Sequence, residues 1–371
     1  MSLIVFTGGG TGGHIFPGLA VAEELLKENS IELVWIGASR GIDRELVEGH
    51  GIHFYGIPSG KLRRYFSLEN ISDFFRIFAG FFASFFLLLK LKPAVVFSKG
   101  GFVSVPPCLA ASLLRIPVIT HECDYSPGLA TKINARFASD IYVSYEETIS
   151  LFPKAIRSKV TVTGNPVRSG FYAASPEKGR AFLGCLSSDI PILFIQGGSL
   201  GARQLNSLIA GCLETLCLSF IVVHQTGAQN ADQDIQSDNP LVKERYKPYA
   251  FIRAEMPDVL ASAFIVVARS GANTVWECAT AGKPMVLIPL EKGSSRGDQI
   301  ENAQFFVSRG AAVMLTGADA TPEKLSRVLG ELKSNRGLYA DMAANSGALG
   351  ERKPAELIAG LISDKVERDR K

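Results

Sequence analysis

The segment Leu3-Ile4-Val5-Phe6-Thr7-Gly8-Gly9-Gly10-Thr11-Gly12-Gly13-His14 decides how the chain is read. A short continuous apolar run is the mark of a strand buried on both faces, as in a parallel sheet. The glycines after it permit a tight turn into a helix, and Ile15, Leu19, Ala22 and Leu26 then recur on one helical face. Pro17 is expected in the first turn of that helix, where its missing N–H is tolerated. The second half of the chain begins alike: the run Pro191 to Ile195 enters Gln196-Gly197-Gly198-Ser199-Leu200-Gly201-Ala202-Arg203. Strand, glycine-rich turn and helix, twice over, predict two doubly wound α/β domains in tandem.

Further apolar runs separated by helix-length patterns fill out both halves. They are Glu32 to Ile36, Ala94 to Phe97, Pro117 to Thr120, Ile141 to Ser144 and Val160 to Thr163, then Phe220 to Val223, Phe264 to Val267 and Met285 to Ile288. The boundary is expected at the turn residues Gly164-Asn165-Pro166, giving domains 1–164 and 165–371. The last helix is a candidate to pack back on the first domain.

With 371 residues the chain has room for two cores. Lys and Arg total 39 against 36 Asp and Glu, a net charge of +3, too balanced for a nucleic-acid protein read on charge. An apolar share of 47% against 20% charged residues excludes general disorder. The six Cys are scattered without a C-x-x-C pair, which speaks against a disulfide scaffold or zinc ribbon and for a reducing compartment. Because Leu3 to Phe6 runs straight into a structural turn, no signal peptide is read there and a cytoplasmic location is expected.

Residues 74–89, FFRIFAGFFASFFLLL, are the most apolar stretch. Asp73, Arg76 and Lys90 crowd it, and a span needs about 20 apolar residues. Lys61, Arg63, Arg64, Lys90 and Lys92 flank it. An aromatic helix with a basic rim suits an anionic membrane surface. Phe74, Phe78, Phe81 and Phe85 are expected to face the domain, and Phe75, Phe82 and Phe86 to form the membrane patch with Arg63 and Arg64.

Gly8-x-Gly10-x-x-Gly13 fits a dinucleotide fingerprint, yet the second strand ends Trp35-Ile36-Gly37-Ala38-Ser39-Arg40 without the carboxylate that NAD requires. An NAD(P)-dependent oxidoreductase is therefore the weaker alternative. The turns remain good sites for phosphate or developing negative charge, because helix N-termini present N–H groups. In residues 268–282, Ser270 and Gly282 are expected to cap a helix. Asn273, Thr274 and Glu277 share a face on its first two turns, where N–H groups could meet phosphate and the carboxylate a ribose. Asp232-Gln233-Asp234 lies in a polar loop and reads as solvated, so no metal site is expected. No G-K-[ST] phosphate loop occurs.

Taken together, GGGTGGHIFPGLA (8–20), SGKLRRYFSLEN (59–70), FSKGGFVSVP (97–106), HECDYSPGLATKI (121–133), TGNPVR (163–168), QGGSLGARQLN (196–206), ARSGANTVWE (268–277) and RGDQIENA (296–303) resemble, in order, the MurG family of bacterial glycosyltransferases. The resemblance implies a GT-B fold, two Rossmann-like parallel-sheet domains facing across a cleft. It implies inverting transfer of N-acetylglucosamine from UDP-GlcNAc to the 4-hydroxyl of MurNAc in lipid I, forming lipid II. No cofactor is implied. By motif match, Arg168 and Ser199 would hold the donor diphosphate and Ile252 would contact uracil. Asn273, Thr274 and Glu277 would hold ribose and phosphate, and Gln299 would read the sugar hydroxyls. Thr11, Gly12 and Gly13 would face the acceptor diphosphate. The aromatic stretch would seat the enzyme, as a peripheral protein, on the cytoplasmic face of the membrane. Other cell-wall synthesis proteins are further candidate partners.

One-step inversion needs a base for the acceptor hydroxyl. His14, at the tip of the first turn, is the first choice, since an imidazole titrates near neutral pH. His121, Glu122 and Asp124 are rivals. The chain has His121-Glu122-Cys123-Asp124 where the commonest family pattern resembles His-Glu-Gln-Asn, so Asp124 is either a base or an altered acceptor contact. Asp298 likewise precedes Gln299 where many relatives show a glutamine pair.

Overall fold

The computed structural model describes residues 1–10, 12–60, 69–198, 203–227, 237–291 and 296–368. The chain forms two units, Met1–Arg168 with Lys353–Lys371, and Ser169–Arg352.

The first unit is a seven-stranded parallel sheet. Its strands are β1 (Ser2–Thr7), β2 (Ile31–Ala38), β3 (His53–Ile57), β4 (Val95–Ser98), β5 (Val118–Glu122), β6 (Asp140–Val143) and β7 (Val160–Val162), in the order β3-β2-β1-β4-β5-β6-β7. One face is covered by helices Gly12–Leu25 and Pro354–Arg368, with Leu19, Trp35, Phe97, Ile358 and Ile362 in one core. The other is covered by helices Glu69–Leu91 and Val105–Leu113 over Val96, Leu88, Cys108 and Ile141. Helix Pro354–Arg368 thus belongs to the first unit, and the second-domain span 165–371 contracts to Ser169–Arg352. Its Ile358, Ile362 and Val366 are buried there, each contributing about 1.5–3 kcal/mol of apolar burial.

The second unit repeats the plan with β8 (Ile192–Gln196), β9 (Ile221–Gln225), β10 (Tyr246–Tyr249), β11 (Ile265–Ala268), β12 (Met285–Leu287) and β13 (Ala312–Met314), ordered β10-β9-β8-β11-β12-β13 and parallel throughout. In each sheet the order reverses beside its first strand, between β1 and β4 and between β8 and β11. The crevice beyond the carboxyl ends there is where such folds bind ligands.

Strands β3, β10 and β13 lie at sheet edges and were not expected from the sequence. HFYGI, YKPY and AVM are short or interrupted by polar residues, because an edge strand need not be apolar throughout. Pro17 is the sixth residue of its helix, one turn later than expected. The N–H that it lacks would have met the carbonyl of Gly13.

Candidate functional site

In the first unit, three turns converge at the carboxyl ends of β1, β4 and β5. Gly10 has φ +83°, and its amide donates to both carboxylate oxygens of Asp43, at 3.1 and 3.0 Å. Asp43 also accepts from the Ala38 amide at 3.2 Å, and the Trp35 indole donates to Gly8 O at 3.0 Å. Burial is the main effect on the Asp43 carboxyl and pushes its pKa up, with the two amide bonds pulling the other way. A carboxylate therefore sits on the Gly10 amide, where a dinucleotide phosphate would need to bind. Asp43 lies five residues beyond the end of β2 and reaches back to the turn, so the residues that end the strand carry no trace of it.

Opposite this turn, Gly100 and Gly101 have φ of +85° and +79°. A Cβ on Gly101 would stand 2.7 Å from Gly9 O and 3.0 Å from His14 Cδ2, so the glycine is what allows the half-buried His14 ring to be seated. His14 lies in the first turn of its helix and Gly13 beside it is exposed. Thr11 lies outside the described residues.

His121, at the end of β5, is fully buried. Its Nε2 lies 2.9 Å from Gly164 O and its Nδ1 lies 2.6 Å from Lys99 Nζ, so Nε2–H donates to the carbonyl and Nδ1 accepts from the lysine. Burial first, then the Lys99 charge, holds its pKa well below the ordinary range. The neutral imidazole thus has both nitrogens engaged within the protein. Glu122 is buried and accepts from the amides of Asp124 (3.1 Å) and Gly128 (2.9 Å), so its carboxylate shapes the loop after β5. Asp124 is half-buried. Cys123 is buried, and its thiol is pushed up to about 12, chiefly by desolvation. Arg168 ends the first unit, with its guanidinium 5.1 Å from the Phe16 ring centre in a cation–π contact.

In the second unit the glycine-rich turn follows β8, with Gly198 at φ +88°. Ser199 lies outside the described residues, as do Asp232 and Asp234. Beyond β11 the buried Arg269 donates to Ile288 O (2.7 Å), Pro289 O (3.1 Å) and Gln204 Oε1 (3.0 Å), tying this crevice together. Helix Ala272–Thr280 is capped at Gly271 without a side-chain bond. Ser270 is not the cap: its hydroxyl donates to Gln299 O at 2.7 Å. Gly282, at φ +63°, follows the helix C-cap Ala281. Ala272, Val275, Trp276, Cys278 and Ala279 are buried, while Asn273, Thr274 and Glu277 are half-buried on the remaining face. Gln299, in the first turn of helix Asp298–Ser308, accepts from the Leu290 amide at 3.0 Å. A side-chain amide whose oxygen is so engaged still carries two N–H donors. Ile252 is buried, and its amide donates to Gln225 Oε1 at 2.8 Å.

The helix Glu69–Leu91 docks on its own domain through Asp73, Gly80, Ser84 and Leu88. A Cβ on Gly80 would stand 2.2 Å from Pro58 O. Residues Asp73–Leu91 are long and apolar enough to cross a membrane, and only 17% of that stretch is buried. Phe75, Phe82 and Phe86 are exposed. So are Phe74 and Phe78, contrary to expectation, at 62% and 57%. The docked face follows Gly80, Ser84 and Leu88, which leaves these two rings outside it. Arg63 and Arg64 lie outside the described residues.

Comparison with known proteins agrees with this architecture. Residues 4–143 match the glycosyltransferase family 28 N-terminal domain and residues 192–358 its C-terminal domain. A UDP-N-acetylglucosamine--N-acetylmuramyl-(pentapeptide) pyrophosphoryl-undecaprenol N-acetylglucosamine transferase of Treponema denticola is 56% identical, covering 98% of this chain and 97% of its own length. A namesake from Bacillus cereus is 44% identical over 91% and 94%. The crystal structure of Acinetobacter baumannii MurG superposes with a TM-score of 0.73 at 28% identity, covering 98% of this chain and all of that one. A Neisseria meningitidis UDP-GlcNAc 2-epimerase, 15% identical with a TM-score of 0.66, shares the fold. With two Rossmann-like units of GT-B type and a relative this similar over nearly its whole length, the chain belongs to glycosyltransferase family 28 and, within it, to the MurG family.

Proposed function

We propose that this protein transfers N-acetylglucosamine from UDP-GlcNAc to the 4-hydroxyl of MurNAc in lipid I, releasing UDP and forming lipid II with inversion at the anomeric carbon. The observation that carries the reading is the 56% identity to the Treponema denticola transferase across nearly the whole of both chains. Two ligand crevices at matching switch points support it, since a two-substrate transfer needs two.

The second unit takes the donor. Asn273, Thr274 and Glu277 hold ribose and phosphate, Gln299 reads the sugar hydroxyls, and the segment of Ile252 meets the uracil. Ser199 stabilises the departing diphosphate. The first unit takes the acceptor, with Thr11, Gly12 and Gly13 toward its diphosphate. His14 is the base: it is half-buried in the first turn of its helix, whereas His121 and Glu122 are buried. Asp124 is the remaining rival. The exposed phenylalanines rest on the anionic inner leaflet where the lipid acceptor lies, with Arg63 and Arg64 as part of the basic rim. Lying on the surface accords with a helix that stays docked to its domain along one face.

UDP release that requires both UDP-GlcNAc and a lipid-I analogue tests the reading. Release without acceptor, or none with both, speaks against it.

A further inference from the structure

Lys99 is a fully buried lysine at the switch point of the first sheet. Its amide donates to Thr7 O at 2.8 Å, and its Cβ packs on the first glycine-rich turn, 3.1 Å from where a Gly8 Cβ would stand. Among the described residues its ammonium meets neutral partners, His121 Nδ1 at 2.6 Å and the thiol of Cys123. Among the described residues no carboxylate pairs with it. The nearby acids are engaged elsewhere: Asp43 on the amides of Gly10 and Ala38, Glu122 on those of Asp124 and Gly128. A cation buried without a counter-charge is costly, and a protein keeps one where a ligand supplies the missing charge.

We propose that Lys99 is a positioning residue of the acceptor crevice, whose buried charge favours the acceptor's diphosphate at the turn containing Gly12 and Gly13. This rests on the acceptor reading of the first unit. Lys99 does not touch the ligand; its charge acts through space and changes affinity on the order of tenfold. His121, whose pKa burial holds well below the ordinary range, accepts from the lysine at Nδ1.

The test is calorimetric titration of the UDP-saturated protein with farnesyl diphosphate, for the parent, Lys99→Met and Lys99→Arg. UDP titration and thermal melting monitor the fold. Methionine keeps the volume and removes the charge. The expected result is a diphosphate Kd raised about tenfold or more in Lys99→Met, substantially kept in Lys99→Arg, with UDP affinity within about twofold of the parent. Unchanged diphosphate affinity in Lys99→Met with UDP binding intact would overturn the proposal, as would a parent that binds no diphosphate. Equal losses of diphosphate and UDP affinity would also overturn it, because they would mark a merely structural lysine. The titration needs no turnover, so failure of the transferase reading shows separately as absent disaccharide synthesis.

Discussion

Asp43 and Gly10, far apart in sequence, are joined by two hydrogen bonds from one amide to both oxygens of one carboxylate, at 3.1 and 3.0 Å. The bond fixes the turn from which His14 projects. Asp43→Ala also leaves the buried Ala38 amide without its acceptor, at a cost of about 1–3 kcal/mol in stability. Turnover should fall roughly tenfold as the turn loosens, with the donor KM unchanged. Urea unfolding and steady-state kinetics together check this. A variant as stable and active as the parent would show that the turn holds itself.

His14→Ala should lower kcat by about 10²–10⁴ if the imidazole takes the acceptor proton. Asp124→Asn should then cost far less. If instead Asp124→Asn is the variant that collapses, the base is the carboxylate on the loop after β5. Turnover with saturating donor and acceptor distinguishes them.

Phe82→Ser with Phe86→Ser removes two exposed rings from the middle and end of the aromatic face, and neither lies in the core. Sedimentation with anionic liposomes should drop severalfold while UDP affinity stays put. Equal sedimentation of variant and parent would detach this helix from membrane binding.

His224, buried in β9, accepts from the Tyr246 hydroxyl and donates to Asn206 Oδ1, both at 3.1 Å. Burial lowers its pKa to about 4 from 6.5. Below pH 6.5 the unfolded chain takes a proton that the native imidazole refuses, so stability is full above that value and is lost as pH falls toward 4. The loss from this residue is about 3 kcal/mol, and His121 adds to it in the same direction. His224→Gln should flatten the decline in unfolding free energy between about pH 7 and about pH 4.5. Identical slopes would place the proton elsewhere.

The sequence announced the parts whose signals are local. Continuous apolar runs exposed β1, β2, β4 and β5, because a strand covered on both faces has no polar side. Edge strands β3, β10 and β13 left no such trace. The half-buried face of Asn273, Thr274 and Glu277 followed from helical spacing. What stayed hidden depends on contacts across the sheet: Asp43 reaching Gly10, Lys99 reaching His121, Gln225 holding Ile252. Ser270 looked like a cap by residue type, yet a tertiary partner, the Gln299 carbonyl, took its hydroxyl. The return of helix Pro354–Arg368 to the first unit is likewise decided by which core its apolar face fits.

The most direct test of the account is product analysis after incubation with labelled UDP-GlcNAc and a short-chain lipid-I analogue. The account predicts UDP and disaccharide in equal amounts, with N-acetylglucosamine β-linked to the 4-hydroxyl of MurNAc. Label released as free sugar, an α-linkage, or no disaccharide at all would contradict it.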